Sequence, residues 1–243
     1  MRRTLTVIPQ PPADSDLAPL RIIARGSTWV VADKPAGLLS VPGKGDDPRK
    51  RDCVAARVAA MFPDAAGPLI VHRLDMDTSG LIVLGLTPQA QRALSKQFEE
   101  RSVTKRYTAL LDGIVEHARE GEVRLPIRLD PANRPWQIVD AIHGRDSITQ
   151  WRVTAHEIDR TRVEFAPVTG RAHQLRVHAA TSIACGGIGH CILGDVLYGS
   201  NYRRPGELGR LAPADRMMLH ASYLAFNDPT SGQRIETTSL AAF

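Results

Sequence analysis

The stretch Gly80-Leu-Ile-Val-Leu-Gly-Leu86 is a continuous apolar run with the length of one strand. A strand with one face in water would alternate apolar and polar side chains, so this run indicates a strand that is covered on both faces. Thr87 and Pro88 come next, and this pair predicts a helix start with Thr87 as N-cap. Apolar residues then recur at every fourth position from Ala90 to Phe98, which gives the helix one apolar face. A buried strand followed by an amphipathic helix predicts a layered fold of sheet and helix.

Predicted strands and helices lie on both sides of this segment. Further strands are predicted at Thr28–Ala32, Lys105–Leu111, Ile148–Ala155, Arg162–Val168 and Met217–Phe226. Helices are predicted at Asp52–Met61, with Asp52 as N-cap, and at His173–Thr181. Residues 1–20 are rich in Pro, Asp and Ala without periodicity, and we expect a loosely ordered leader there. Because the chain has no internal repeat, one mixed α/β domain over residues 21–243 is the simplest interpretation.

Composition sets limits on the class of protein. Of the 243 residues, 43% are hydrophobic and 23% are charged, which is typical of a soluble globular chain. No apolar run approaches the roughly 20 residues that a membrane helix needs. Arg2 and Arg3 are followed by prolines and not by an apolar segment, so a secretory signal is not indicated. The three cysteines give no disulfide framework and fit a reducing compartment, and we therefore expect a cytoplasmic protein.

The net charge indicates the class of partner only weakly. The formal net charge of the chain is +5. A basic surface favours a polyanion such as nucleic acid. Solubility alone explains a charge of this size equally well, so the charge by itself identifies no partner.

Polar residues stand directly ahead of the buried strand, in the segment His72-Arg-Leu-Asp-Met-Asp-Thr-Ser-Gly80. Loops at strand ends are common places for binding and catalytic residues. Asp75 has the chemistry of a nucleophile or base, and Arg73 that of a ligand for phosphate or carboxylate. Asp77 and Thr78 suit a turn. A capped turn without any function explains the same residues, and both interpretations remain open on the residues alone.

A second polar cluster lies in Val168-Thr-Gly-Arg-Ala-His-Gln-Leu-Arg-Val-His178. Gly170 allows a close approach of the backbone to a ligand, and Arg171 beside exposed N–H groups suits an anion. The first turns of the predicted helix present three further polar side chains, those of His173, Gln174 and Arg176. A helix start on a surface that binds nothing is the alternative. Two such clusters next to apolar strands make this alternative less attractive, although spacing alone identifies no reaction.

Together these segments resemble a known family. His72-Arg-Leu-Asp75 with Thr78-Ser-Gly80, then Lys105-Arg-Tyr107, then Gly170-Arg-Ala-His-Gln-Leu-Arg-Val-His178 are similar, in this order, to the motifs of the RluA family of pseudouridine synthases. Shorter segments that add to the resemblance are Asp33-Lys-Pro-Ala-Gly37, Leu39-Ser-Val-Pro-Gly43, Asn133-Arg-Pro135, Ile192-Leu-Gly-Asp195 and Met218-Leu-His220. The resemblance begins near Arg21 and continues to the C-terminus. It points to the short members of the family, which have no S4 domain and act on both rRNA and tRNA.

The resemblance implies a fold and an activity. The fold is a single α+β catalytic domain over residues 21–243, with a mixed, mainly antiparallel central sheet flanked by helices and loops. The activity is isomerisation of uridine to pseudouridine in stem-loops of 23S rRNA and of the tRNA anticodon arm. The reaction needs no cofactor and no metal. The resemblance also implies a monomer without an obligate protein partner.

The resemblance further assigns roles to residues. Asp75 is the catalytic carboxylate, which attacks the uridine nucleoside or takes a proton from it. Tyr107 is a second catalytic residue, which stacks on the target base and assists proton removal. Arg176, the third, pairs with Asp75 and keeps it ionised. Leu175 lines the base pocket, and Arg73 fills the space that the base leaves in the RNA stack. Further substrate contacts are expected from His72, Thr78, Arg171, His173 and Gln174.

Two other functions compete with this one. A zinc-dependent deaminase or hydrolase would draw its ligands from Cys185, His190, Cys191, His72, His173 and His178. These residues lack the His-x-Glu and Cys-x-x-Cys spacings that such zinc sites use. A non-catalytic RNA-binding module would explain the basic charge. However, an acid at Asp75 among arginines weakens phosphate binding, so this residue favours catalysis.

Overall fold

The computed structural model describes residues 17–45, 47–199 and 214–243, so most of the predicted leader lies outside the described residues. The described residues form eleven strands, which are β1 (Arg21–Arg25), β2 (Trp29–Lys34), β3 (Ser79–Gly85), β4 (Thr104–Asp112), β5 (Glu120–Arg124), β6 (Ile127–Leu129), β7 (Gln137–Val139), β8 (Ile148–His156), β9 (Arg160–Pro167), β10 (Leu219–Asn227) and β11 (Arg234–Thr238). They also form three α-helices, which are α1 (Val54–Met61), α2 (Pro88–Glu99) and α3 (Gln174–Ala180). None of the helices in these ranges has the length and apolar content that a membrane crossing requires.

The chain forms two compact units. The first comprises the chain up to Lys105 together with Ala221–Ala242, and the second comprises Arg106–His220 with Phe243. Strands β4 and β10 each contribute residues to both units. In the first unit the strand order is β1, β2, β3, β10, and β11 pairs with β10; in the second it is β4, β9, β8, β5, with β6 and β7 as a separate pair. That residues 21–243 act as one catalytic domain stays a prediction.

Strand β3 is the centre of the first unit, and all seven of its residues are buried. It pairs antiparallel with β2, where Val83 lies opposite Val31. Leu81 and Val83 pack with Leu94 of α2. Ile82, on the opposite face of the strand, is also fully buried. The prediction of a strand that is covered on both faces is therefore confirmed.

The second unit packs α3 against a four-stranded antiparallel sheet. Within this sheet Phe165 of β9 lies opposite Tyr107 of β4 and Trp151 of β8. Leu175 and Ala179 of α3 join Phe165 and Trp151 in one buried cluster. The helix is thus held by its apolar side. The predicted α+β fold class is confirmed by these elements and their antiparallel pairings.

The two predicted helix starts in the first unit have different outcomes. Thr87 is the N-cap of α2 as predicted, and its Oγ1 accepts the N–H of Ala90 at 3.2 Å. Helix α1, however, begins at Val54, so the prediction of Asp52 as N-cap is wrong. The carboxylate of Asp52 instead accepts from Nε and Nη2 of Arg57, both at 2.7 Å. Because the buried guanidinium of Arg57 binds the Asp52 carboxylate, this carboxylate does not cap the helix.

Candidate active site

One group of predicted site residues, in the first unit, lies on the turn that carries Asp75 into strand β3. The N–H of Thr78 donates to the carbonyl of Asp75 at 3.1 Å and closes the turn. Thr78 is buried, Asp75 is half-buried and Arg73 is exposed. Gly80 has a φ of 109°, and a Cβ there would lie 2.4 Å from the carbonyl oxygen of Ala221. The turn therefore requires glycine at position 80, and this requirement explains the last residue of the Thr78-Ser-Gly80 motif.

Upstream side chains hold the backbone on both sides of Asp75. The hydroxyl of Ser40 donates to the carbonyl of Leu74 at 2.7 Å and accepts the N–H of Leu74 at 3.1 Å. On the other side, the carbonyl of Met76 accepts from Nζ of Lys34 at 2.7 Å. Asp75 is thus fixed through both of its neighbours in the chain.

Lys34 is a fully buried cation at the base of this turn. Its Nζ also donates to the carbonyls of Leu38 at 2.6 Å and Pro35 at 3.0 Å. Burial lowers the pKa of Lys34 to about 7, while the carboxylates of Asp77 and Asp75 act to raise it. Three carbonyl acceptors require three donors, and only the ammonium form supplies three. The geometry therefore favours the charged form, with the three carbonyls replacing water around it.

The side chain of His72 contacts strand β3 and helix α2. Its Nε2 accepts the N–H of Val83 at 3.2 Å, and its ring stacks on Phe98 with 4.3 Å between the centroids. Burial lowers the pKa of His72 to about 3, and the charge of Lys105 acts in the same direction. A neutral imidazole thus joins the turn to strand β3 and helix α2. The contact of His72 with substrate stays a prediction.

The other group, in the second unit, lies at the start of α3. His173 precedes the helix with a φ of 53°, in the left-handed region that few residues other than glycine adopt. The side-chain oxygen of Gln174 accepts two hydrogen bonds, at 2.7 and 3.0 Å, from the loop before the helix. Its side-chain nitrogen donates twice to β8, both at 2.9 Å. Because these four bonds use the whole amide, Gln174 anchors the helix start, and its substrate contact, like that of Arg171, stays a prediction.

Arg176 forms a buried bidentate ion pair with Asp195. Its Nε and Nη2 each donate to a carboxylate oxygen at 2.7 Å, and the two side chains are 3% and 0% exposed. One oxygen of Asp195 also accepts the N–H groups of Leu197 at 2.9 Å and Tyr198 at 3.0 Å. Asp195 is thus a partner of Arg176 that the sequence did not reveal. The predicted pairing of Arg176 with Asp75 stays a prediction.

Tyr107 and Leu175 belong to the same face of the second unit. Tyr107 of β4 packs against the buried cluster that contains Leu175. The phenol ring is half-buried, whereas Leu175 is 7% exposed. An aromatic ring packed on an aliphatic cluster suits stacking with a flat heterocycle.

The histidines that a zinc site would use have partners of their own. His178 lies 2.8 Å from the hydroxyl of Ser147 and 2.9 Å from that of Thr149, and burial lowers its pKa to about 4. Nδ1 of His190 donates to the carbonyl of Asp112 at 2.8 Å. In the part of the chain that the structure describes, no three His, Cys, Asp or Glu side chains are grouped to hold a metal ion.

The predicted site residues fall into two groups. The first unit contains His72, Arg73, Asp75 and Thr78, and the second contains Tyr107, Arg171, His173, Gln174, Leu175 and Arg176. Sequence analysis missed four residues that hold these groups in place, namely Lys34, Ser40, Asp195 and Tyr198. Three of them lie in the short segments that add to the family resemblance, which is the signal by which they could have been found.

Comparison with known proteins identifies relatives of this chain. Residues 28–181 match the family model described as RNA pseudouridylate synthase. The dual-specificity RNA pseudouridine synthase RluA of Vibrio cholerae serotype O1 is 43% identical over 202 residues, which cover 83% of this chain and 75% of the relative. The protein of the same name from Escherichia coli K12 is 41% identical over 225 residues, which cover 92% and 94%. The solved structure of human RNA pseudouridylate synthase domain containing 1 is similar with a TM-score of 0.69 at 29% identity, covering 91% of this chain and 83% of that one.

Proposed function

This chain belongs to the RNA pseudouridylate synthase family, and we propose that it isomerises uridine in stem-loops of 23S rRNA and of the tRNA anticodon arm. We choose these two substrates because the chain is similar, over 92% of its length, to an enzyme named for dual specificity. A hairpin loop is a suitable common feature of the two RNAs, because its bases can turn outward into a protein. We also place the enzyme in the cytoplasm, where both RNAs occur.

The reaction breaks one bond to the ribose and forms another. The N1–C1′ bond breaks, the base turns, and C5 joins C1′; C5 loses its proton and N1 gains one, so the mass is unchanged. A carboxylate serves either as a nucleophile towards the nucleoside or as the base that removes a ribose proton. We assign this role to Asp75. The hydrogen bonds of Ser40 and Lys34 on either side of it support this choice, since a reacting group must keep one position.

The target base must leave the RNA stack before its sugar is reached, and this extrusion costs a few kcal/mol. Arg73 is exposed on the turn, two residues before Asp75, and we assign it to the space that the base vacates. The flat guanidinium suits stacking on the bases that remain. We also assign Thr78 and His72 to contacts with the substrate. The backbone N–H of Thr78 closes the turn and Nε2 of His72 joins it to β3, which supports a role close to Arg73 and Asp75.

In the second unit we assign Tyr107 and Leu175 to the target base and Arg176 to the Asp75 carboxylate. The packing of Tyr107 on the cluster of Leu175 supports a fixed surface for a flat ring. The two hydrogen bonds from Arg176 to Asp195 support this assignment, because they hold the guanidinium in one orientation. His173, next to the start of α3, is assigned to the RNA that surrounds the target.

Two RNA hairpins test the proposal, an isolated tRNA anticodon stem-loop and a 23S rRNA hairpin with a matching loop sequence. Each carries tritium at C5 of its uridines, because formation of the C5–C1′ bond releases that label to water. We expect both hairpins to release label, and control hairpins with cytidine at the target position to release none. Release from one hairpin only would contradict dual specificity. Release from neither, with enzyme in excess over RNA, would contradict the proposed substrates altogether.

A further inference from the structure

Tyr198 contacts three parts of the second unit at once. Its hydroxyl accepts the N–H of Gln137 at 2.7 Å and lies 2.8 Å from Nδ1 of His173. Its ring lies over the guanidinium of Arg176, with 5.1 Å between Cζ and the ring centroid. The side chain therefore joins strand β7, the residue before α3 and the buried cation of the candidate active site.

The ring of Tyr198 complements the grip of Asp195 on Arg176. Asp195 binds the guanidinium edge with two hydrogen bonds, while the ring covers one face of the same group. Both partners come from one turn, since Asp195 also accepts the N–H of Tyr198 at 3.0 Å. These contacts restrain the planar cation against sliding along its edge and tilting about it. Because Arg176 is 3% exposed, water screens the contact with the ring little, and such contacts are the stronger ones.

The hydroxyl of Tyr198 ties down the hairpin formed by β6 and β7. The carboxylate of Asp130 accepts a backbone N–H at 3.0 Å and the side-chain amide of Asn133 at 2.9 Å, so the tip is ordered internally. Trp136 meets the Tyr198 ring edge-on at 5.4 Å. Arg134 is exposed at the tip of the hairpin. An exposed arginine on an ordered hairpin suits an RNA phosphate, which positions the RNA without reading its sequence.

We propose that Tyr198 is a positioning residue for the isomerisation and that its ring and its hydroxyl have separate tasks. The ring fixes Arg176 for the chemical step. The hydroxyl fixes the β6–β7 hairpin for RNA binding. This inference rests on the proposed function, because it assigns both contacts to the same RNA-modifying site.

Two substitutions separate the tasks. Tyr198→Phe removes only the hydroxyl, and we expect it to raise the KM for the anticodon stem-loop about fivefold while kcat stays within about twofold, since one hydrogen bond to a binding element is lost. Tyr198→Leu also removes the ring, and we expect kcat to fall about tenfold in addition. A merely structural role would not divide the two effects in this way, with KM raised by loss of the hydroxyl and kcat lowered only by loss of the ring.

Tyr223→Phe is the matched control, because it removes a hydroxyl that donates to Glu236 at 2.9 Å at the surface of the first unit. We expect its kcat and KM to stay within about twofold of the wild-type values. Wild-type kcat in Tyr198→Leu, or an equal loss of kcat in Tyr198→Phe, would overturn the inference. If circular dichroism shows that Tyr198→Leu does not fold, Tyr198→Phe decides alone, and an unchanged KM or a kcat reduced more than about threefold overturns it. If the wild-type enzyme itself releases no tritium from the anticodon stem-loop, this result contradicts the proposed function and not the role of Tyr198.

Discussion

The substitution Asp195→Asn keeps the shape of the side chain that binds Arg176 but removes its charge. The amide oxygen still accepts one guanidinium N–H, whereas the NH2 group faces the other, so one of the two 2.7 Å contacts sets a donor against a donor. Arg176 is 3% exposed, and water therefore does not replace the lost acceptor. Removing one partner of a buried ion pair costs about 3–5 kcal/mol, and we expect the free energy of unfolding to fall by this amount.

Asp52→Asn is the matched control for this experiment, because it breaks a pair with Arg57 of the same bidentate geometry, with both contacts at 2.7 Å, in the first unit. The side chains of this pair are 10% and 5% exposed, so it is slightly less buried than the pair of Arg176 and Asp195. Urea denaturation measures the free energy of unfolding, and tritium release from the anticodon stem-loop measures kcat. We expect both variants to lose stability, but only Asp195→Asn to lose kcat in the folded enzyme, by about tenfold or more. A stability loss below about 1 kcal/mol, or equal kcat in the two variants, would refute the reasoning that Asp195 holds Arg176 for catalysis.

Lys34→Met removes the ammonium group that holds the carbonyl of Met76, so kcat should fall about tenfold while RNA affinity in filter binding changes less than about threefold. A wild-type kcat would show that the turn keeps its shape without Lys34. Burial lowers the pKa of His178 to about 4, so the unfolded chain takes up a proton first as the pH falls. The stability that His178 contributes should therefore be complete above about pH 6.5 and fall by about 3 kcal/mol towards pH 4, in addition to the loss from His72. Urea denaturation of His178→Gln should therefore show a smaller decline than that of the wild type; equal declines would contradict the assignment. Treatment with EDTA should leave kcat unchanged once the RNA is refolded, whereas restoration of lost activity by zinc alone would favour a metal-dependent enzyme.

Local pattern was sufficient to predict the elements that are deeply buried. Strand β3 and helix α2 are confirmed because a continuous apolar run and a repeat of four residues are signals within one segment. Strand β5 was missed, since only Val123 of its five residues is buried and its sequence carries no alternation. Its pairing with β8, an interaction between distant segments, decides that it is a strand.

The site shows the same division between local and distant information. Asp75 was identified from the amino-acid sequence of its motif, which resembles that of the family. The partners that hold the site came from the fold, because Lys34 reaches Met76 across 42 residues and Asp195 reaches Arg176 across 19. No periodicity links residues at such separations. The wrong N-cap at Asp52 has a related cause, since a carboxylate can serve either the helix start or a nearby guanidinium, and only packing decides which.

Asp75→Asn tests the central claim most directly. The amide keeps the size and shape of the carboxylate, but it can act neither as the nucleophile nor as the base. Enzyme in excess is mixed with the tritiated anticodon stem-loop, label release is followed over a single turnover, and filter binding measures RNA affinity in parallel. We predict no release above background, with an RNA affinity within about threefold of the wild-type value. Release at a rate near that of the wild-type enzyme would contradict the assignment of Asp75 as the catalytic carboxylate.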